Sequence, residues 1–255
     1  MFVLISAMRE ELKGIERDML EATLSPYAGG SILHGLFRGT PLVWVVSGIG
    51  MKNAERATAK ILKDFQVESL LVLGFAGSLS PQLGIGDLVI CRTIHCEDAG
   101  SRIYHSDLGM VEMALKVEMG QHRRIWLKDC LTVNRVLSTP DQKQEISKNC
   151  PMDIVEMENY WIAQQASQNG VRVLAVRAIS DGTQDWLPEF IKILDAEGKM
   201  PVKRGLQHFS THPHEITYLP RLYQNARMAR KSLVEFFRAF YPVILKEGGL
   251  ANHAH

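Results

Sequence analysis

The stretch SLLVLGFAGS at residues 69–78 decides the fold class of this 255-residue chain. Its first half is a continuous apolar run, which is typical of a strand covered on both faces by helices. Its second half, from Gly74 to Ser78, is a loop of small residues that directly follows the strand. Ligands of open α/β sheets bind beyond the carboxyl ends of the strands. The stretch therefore predicts an α/β sheet with a candidate binding loop at its edge.

Strand-like runs alternate with helical patterns on both sides of this stretch. The alternation predicts a single domain over residues 1–255 with a mixed, mostly parallel central sheet flanked by helices. Residues 186–255 are expected to form a divergent C-terminal extension, irregular to residue 214 and then one long helix at 215–241. Further strands are predicted at residues 2–6, 31–37, 42–46, 87–91, 131–136, 153–155 and 171–179, and helices at 8–20, 53–65, 108–119 and 159–168.

Composition indicates an ordinary globular protein: 46% of the residues are apolar, 22% are charged and the net charge is +1. A charge this small gives no general attraction for nucleic acid, so no nucleic-acid partner is expected. No apolar run approaches the roughly 20 residues that span a bilayer, so stable membrane insertion is not expected either. The four cysteines form no Cys-x-x-Cys pair, and the N-terminus lacks the features of a signal peptide. We therefore expect a cytoplasmic protein without a metal site.

Acidic and small residues follow several of the predicted strands. Glu156 and Glu158 flank an apolar residue at the end of a buried strand, where an unpaired charge is costly. Singly, most of these residues have ordinary explanations, since acids are favoured in the first turn of a helix and Asp-Gly pairs favour turns. Together they predict one ligand site at the sheet edge. The candidates are Met8, Glu10, Glu11, Ile49, Phe75, Glu156, Met157, Glu158, Arg177, Ser180 and Asp181.

The order and spacing of these segments resemble the nucleosidase and purine nucleoside phosphorylase superfamily, closest to the 5′-methylthioadenosine/S-adenosylhomocysteine nucleosidase branch. The resemblance covers residue 1 to about 185. Residues 186–240 are instead similar to the tail of the hopanoid-associated members, through 185–188 and 194–198. The substrate of that subgroup is adenosylhopane, an adenine nucleoside with a lipid at its 5′ side. The segments that carry the resemblance are SAMREE (6–11), SGIG (47–50), GFAGS (74–78), GDLV (86–89), VEME (155–158) and VRAISD (176–181).

The resemblance implies cleavage of the N-glycosidic bond of a purine nucleoside with a modified 5′ group. Asp181 is then the general acid at N7 of the base, with Ser180 orienting it, and Glu11 is the general base that activates water. Arg177 positions that water or keeps Glu11 ionised. The sugar is bound by Glu158, with Met157 packed against it, and Met8, Ile49 and Phe75 complete the substrate pocket. The family also implies a homodimer and no cofactor, with phosphate as co-substrate only in a phosphorylase.

Two departures from the family pattern affect these assignments. Phe75 stands where the family usually has Ser or Thr, and its loop lacks the hydroxyl that commonly holds water or phosphate. The stretch before the Met-Glu strand, residues 132–136, contains no aromatic residue to stack on the base. Stacking is therefore expected from elsewhere, with Phe75 and Trp161 as candidates.

Three alternatives follow from the same residues. A phosphorylase needs a cationic cradle, for which Arg9, Arg92 and Arg135 are candidates. Hydrolysis is favoured because Glu11 would repel phosphate. A non-catalytic nucleoside-binding protein would explain Phe75, although Glu11 and Asp181 are retained. A dinucleotide-dependent oxidoreductase is disfavoured because the third glycine of G-x-G-x-x-G is replaced after Ser47-Gly48-Ile49-Gly50.

Overall fold

The computed structural model describes residues 1–120, 123–188, 191 and 201–251. Its strands form one ten-stranded mixed sheet in the order β10-β6-β8-β9-β5-β1-β4-β3-β2, with β7 paired to β6. A further pairing joins β10 to β5, so five strands close into a ring at one end. The strands are β1 (Phe2–Ser6), β2 (Met19–Tyr27), β3 (Gly30–Phe37), β4 (Thr40–Val46), β5 (Ser69–Ser78), β6 (Leu88–Cys96), β7 (Tyr104–His105), β8 (Ile125–Thr132), β9 (Ile154–Glu156) and β10 (Arg172–Asp181).

Helices cover both faces of this sheet, as the sequence predicts. β1, β4, β5 and β10 run parallel, so their carboxyl ends lie at one edge. The long helix packs on one face, and the second and fifth helices pack on the other. The helices are α1 (Lys13–Glu16), α2 (Met51–Asp64), α3 (Leu108–Leu115), α4 (Pro140–Asn149), α5 (Asn159–Gln168), α6 (Val202–Thr211) and α7 (Leu219–Ala251), with 3-10 helices at Arg9–Leu12 and Pro213–Tyr218.

Alternating side chains on β1 show how the two layers form. Leu4 points into the core under α7, whereas Val3 and Ile5 point into the core under α2 and α5. All three side chains are fully buried. Because a strand buried on both faces exposes no side of its pleat, β1 and β5 have the continuous apolar sequence of covered strands.

The long C-terminal helix α7 belongs to the core of the fold. Phe236, Phe237 and Phe240 have no exposed surface, and the Phe237 ring meets Phe37 edge-on with centroids 5.0 Å apart. The hydroxyl of Tyr241 donates a 2.8 Å hydrogen bond to the carbonyl of Pro41. Within the helix predicted at 215–241 these side chains are buried, whereas Ile216 and Tyr223 near its start are 48% and 67% exposed.

The prediction of one helix at residues 8–20 is wrong. The segment forms the 3-10 helix Arg9–Leu12 and the single turn of α1, and the chain then enters β2 at Met19. β2 pairs with β3 in antiparallel register, from Met19 opposite Phe37 to Tyr27 opposite Gly30. The pairing partner lies later in the chain, so a tertiary contact overrides the local helical pattern.

The C-terminal extension also differs from its prediction. α6 lies inside the segment predicted to be irregular, and the long helix begins at Leu219, after the 3-10 helix Pro213–Tyr218. The segment 194–198, which contributed to the resemblance, lies outside the described residues. Within the part of the chain that the structure describes, no helix has the length and apolar character needed to span a membrane.

Candidate active site

A cavity of about 340 Å³ opens at the carboxyl ends of the parallel strands. Its volume lies within the range of small-molecule sites. Eight of the nine residues to which the resemblance assigns a role line it, and the ninth, Arg177, is buried with 1% of its surface exposed. The eight residues are Met8, Glu11, Ile49, Phe75, Met157, Glu158, Ser180 and Asp181.

Glu11 is held in place by two backbone amides. The amide of Met8 donates to its Oε2 at 2.8 Å, and the amide of Phe75 donates to its Oε1 at 2.9 Å. The side chain is almost completely buried. Burial raises the pKa of Glu11 above its ordinary value, although the positive charge of Arg177 and the two amides oppose the shift. A carboxylate with a raised pKa is a stronger base, which suits it to remove a proton from water.

Arg177 is the buried centre of the polar network below the cavity. Its guanidinium donates to Glu156 at 2.6 Å and to Asn159 at 3.0 Å, and its Nη1 lies 3.5 Å from Glu158. Burial opposes its charge, but the surrounding carboxylates of Glu156, Glu158 and Glu11 raise the pKa of Arg177. The network therefore keeps a permanent positive charge close to Glu11 and Glu158.

Gly74 provides the space in which this charge approaches Glu11. A Cβ atom at Gly74 would overlap the Arg177 guanidinium and would lie 3.0 Å from Oε1 of Glu11. A residue with a side chain cannot replace it unless the buried ion pairs move. The small residue in the SLLVLGFAGS stretch therefore has a steric role in the site.

Glu158 is the second buried acid of the cavity. Its Oε1 accepts a 2.9 Å hydrogen bond from the amide of Gly50, at the start of α2. Burial raises the pKa of Glu158 to about 7, with Arg177 opposing the shift and Glu156 adding to it. An acid in this position can accept hydrogen bonds from the hydroxyls of a sugar when it is ionised.

Asp181 ends β10, and both its oxygens accept hydrogen bonds. The Ser180 hydroxyl donates to Oδ1 at 2.8 Å, and the Lys143 ammonium donates to Oδ2 at 2.6 Å. A Cβ atom at Gly77 would lie 2.7 Å from Oδ2, so this glycine permits the approach of the carboxylate to β5. Asp181 thus forms a buried ion pair at the cavity wall.

The walls around these acids are mainly apolar. Phe75 is partly exposed and lines the cavity, so it remains a candidate for stacking on a base. Trp161 does not line the cavity. It is a residue of α5 that packs into the core against the sheet, with its ring edge-on to Tyr160 at 5.1 Å. The expectation that Trp161 stacks on the base is therefore wrong. Other apolar side chains of the wall are Met8, Ile49, Val133, Val136, Leu137, Met157, Leu187, Ile191, Leu222 and Ala226.

Two of the three candidate phosphate ligands point elsewhere. Arg9 pairs with Glu16, and Arg92 pairs with Asp129 at 2.6 Å. Arg135 does line the cavity, but it is paired with Glu97, whose Oε1 accepts from its Nη2 at 2.9 Å. Among the described residues that line the cavity, five carry carboxyl groups and two carry cations. This balance disfavours a dianionic ligand.

Sequence reasoning missed Lys143 and the roles of Glu156 and Asn159 as anchors of Arg177. Lys143 lies on α4, in a segment for which the sequence suggested no element. The available signal was the Thr139-x-x-Gln142 capping box, which marks the start of a helix. Lys143 and Ile146 are the buried residues of α4, and a lysine three residues from an isoleucine gives no apolar pattern.

Comparison with known proteins places the chain beside enzymes that act on nucleosides. The sequence model of the Phosphorylase superfamily matches residues 1–203. The 5′-methylthioadenosine/S-adenosylhomocysteine nucleosidase of Shewanella baltica is 28% identical over 202 residues, which cover 72% of this chain and 85% of that protein. The nucleosidase of the same name from Staphylococcus aureus is 27% identical over 196 residues, covering 71% of this chain and 86% of that protein.

Solved structures show the same fold. The 5′-methylthioadenosine/S-adenosylhomocysteine nucleosidase of Colwellia psychrerythraea, in complex with adenine, superposes with a TM-score of 0.71 at 22% identity, over 94% of this chain and 95% of that chain. The futalosine hydrolase of Helicobacter pylori gives a TM-score of 0.71 at 20% identity, over 93% of this chain and 97% of that chain. The mixed α/β fold expected from the sequence is confirmed.

Proposed function

The chain belongs to the phosphorylase superfamily, and on this premise we propose that it hydrolyses the N-glycosidic bond of an adenine nucleoside. One observation carries the proposal: Glu11, Glu158 and Asp181 line the same cavity at the carboxyl ends of the strands. The names of the relatives and the adenine bound to the Colwellia enzyme support adenine as the leaving base.

Each acid then has a separate task. Glu11 takes a proton from water while the water oxygen forms a bond to C1′ of the ribose. The bond from C1′ to N9 breaks, and its electron pair passes to the base. The base takes up a proton at N7 from the side of Asp181, where Ser180 fixes the carboxyl group. Glu158 accepts hydrogen bonds from the ribose hydroxyls, and Met157 packs beside the sugar.

The charge of the cavity supports water over phosphate as the nucleophile. Phosphate recognition usually relies on several cationic donors. Lys143 and Arg135, the two cations among the described lining residues, are already paired with Asp181 and Glu97. Glu11 lies where the nucleophile must approach, and its charge would repel a phosphate dianion.

The apolar part of the wall supports an apolar group at the 5′ position of the nucleoside. Leu222 and Ala226 of α7 contribute to this wall, together with Leu187 and Ile191 from the preceding segment. These residues lie in the C-terminal extension, whose sequence resembles the tail of the hopanoid-associated members. Phe236, Phe237 and Phe240 of the same helix are core residues and do not contribute to this wall. A lipid-tailed nucleoside such as adenosylhopane is the substrate we propose within this class.

Base release from a panel of nucleosides tests the proposal. The panel contains adenosine, 5′-methylthioadenosine, S-adenosylhomocysteine and a 5′-alkyl adenosine with a long chain, each with and without phosphate, and adenine is measured by chromatography. We expect adenine without phosphate, and fastest release from the 5′-alkyl compound. Strict dependence on phosphate would replace hydrolysis by phosphorolysis, and adenine binding without any release would indicate a non-catalytic nucleoside-binding protein.

The assembly and location of the enzyme stay predictions from the resemblance. We expect a homodimer, which light scattering on the purified chain would test, and a cytoplasmic location, which fractionation of the source cells would test. No cofactor is expected, so activity should survive treatment with a chelator followed by gel filtration.

A further inference from the structure

Lys143 is a buried lysine in direct contact with Asp181. Its side chain is 2% exposed, and its ammonium donates to Oδ2 of Asp181 and to the carbonyl of Gly182, both at 2.6 Å. It also lines the cavity, so it lies at the wall where Asp181 meets the ligand. None of the roles given above uses it.

The position of Lys143 offers little to the stability of the fold. Burial of an ammonium group is costly even when it is paired, and a buried ion pair often contributes no net stability. Lys143 also lies near the N-terminal end of α4, whose amides favour negative rather than positive charge. The Thr139 and Gln142 capping box already starts the helix without it. A stabilising role therefore explains Lys143 poorly.

The hydrogen bonds of Asp181 explain the position of Lys143 better than a stabilising role does. Both oxygens of Asp181 accept hydrogen bonds from other side chains, Ser180 and Lys143. These two donors are the side chains that can supply Asp181 with a proton for the leaving base. An ammonium group gives up a proton far more readily than a serine hydroxyl does, so Lys143 is the better source.

We infer that Lys143 is a positioning residue that supplies, through Asp181, the proton taken up by N7 of the leaving base. The inference rests on the proposed function. A proton passes from Nζ of Lys143 to Oδ2 of Asp181, and the carboxyl group donates a proton to N7 while the bond from C1′ to N9 breaks. Lys143 is left neutral, and it regains a proton through solvent to balance the one that Glu11 takes from water.

The other charged groups near this pair do not substitute for Lys143. Asp185 follows β10, and its Oδ2 accepts from the amide of Gly182. Arg221 of α7 is 74% exposed, and it pairs with Oδ1 of Asp185 at 2.6 Å rather than with Asp181. Glu11 and Glu158 line the same cavity as acceptors. Among the described side chains, Lys143 is thus the cation that contacts Asp181.

Substitutions at Lys143 separate the supply of a proton from the placement of Asp181. In Lys143→Gln the amide keeps a donor for Asp181 but has no proton to transfer, and Lys143→Met removes both. Lys148→Met is the matched control, because Lys148 is exposed on the same helix. The substrates are 5′-methylthioadenosine, whose base leaves as a protonated purine, and 4-nitrophenyl β-D-ribofuranoside, whose leaving group needs no proton.

At pH 8 we expect kcat for 5′-methylthioadenosine to fall about 100-fold or more in Lys143→Gln and Lys143→Met, in the range typical of general acid catalysis. KM should stay within about threefold, as should kcat for the nitrophenyl riboside. Lys148→Met should match the wild type. Equal losses on both substrates, or full purine activity in Lys143→Gln, would overturn the inference while the proposed function stands. Absence of base release by the wild type would refute both.

Discussion

The substitution Glu158→Gln should change how the stability of the protein depends on pH. Burial raises the pKa of Glu158 to about 7 from an ordinary value of 4.5. The unfolded chain therefore loses this proton at lower pH than the folded protein does. Between these two values the folded state binds more protons, so its free energy of unfolding decreases as the pH rises.

The size of the effect follows from the two pKa values. Each pKa unit corresponds to about 1.4 kcal/mol, so complete titration costs the folded protein roughly 3 kcal/mol, and the part between pH 5 and pH 8 is about 2–3 kcal/mol. Glutamine does not titrate, but its side-chain oxygen can still accept from the amide of Gly50. The stability of Glu158→Gln relative to the wild type should thus rise by this amount over the same range.

Urea unfolding of both proteins at pH 5, 6, 7 and 8 measures this difference. The matched control is Glu112→Gln, because Glu112 is an exposed residue of α3 and should show no such trend. In thermal melts the same change corresponds to roughly 4–12 °C for a domain of this size. A difference between variant and wild type that stays constant within about 0.5 kcal/mol from pH 5 to pH 8 would refute the reasoning.

Three further substitutions test other contacts of the site. Glu11→Gln should lower kcat at least about 100-fold and leave adenine affinity, measured by calorimetry, within threefold, because it removes the base and not the pocket; unchanged kcat would contradict its role. Gly74→Ala should lower the free energy of unfolding by about 1–3 kcal/mol, since its Cβ overlaps the Arg177 guanidinium. In contrast Gly84→Ala, whose nearest contact is 3.8 Å away, should have little effect in the same urea titration. Leu222→Trp should fill part of the apolar side of the cavity and slow release of adenine from a long-chain 5′-alkyl adenosine more than from 5′-methylthioadenosine. An equal slowing of both substrates would show that α7 does not contact the 5′ group.

The sequence was sufficient to locate the site because covered strands can be recognised from local runs of apolar residues. Continuous apolar runs marked β1, β5 and β10 as covered strands, and parallel strands bring their carboxyl ends to one edge. Residues that directly follow those carboxyl ends are therefore expected to lie close together at that edge of the sheet. Glu11, Glu158 and Asp181 were predicted on this basis, and they line one cavity although 170 positions separate the first from the last. Their assigned roles stay predictions until the variants are measured.

The tertiary structure decided which groups these residues contact. Lys143 and Asp181 are 38 positions apart and meet because β10 pairs with β5 while α4 packs beside the end of β10. No local sequence pattern predicts the contact between Lys143 and Asp181. The same reason explains the errors at residues 8–20, where a later strand pairs with β2, and at Trp161, which packs between α5 and the sheet. Periodicity in a sequence records which side chains are buried and at what spacing. The identity of the group that each one meets depends on contacts between distant segments, and those exist only once the chain has folded.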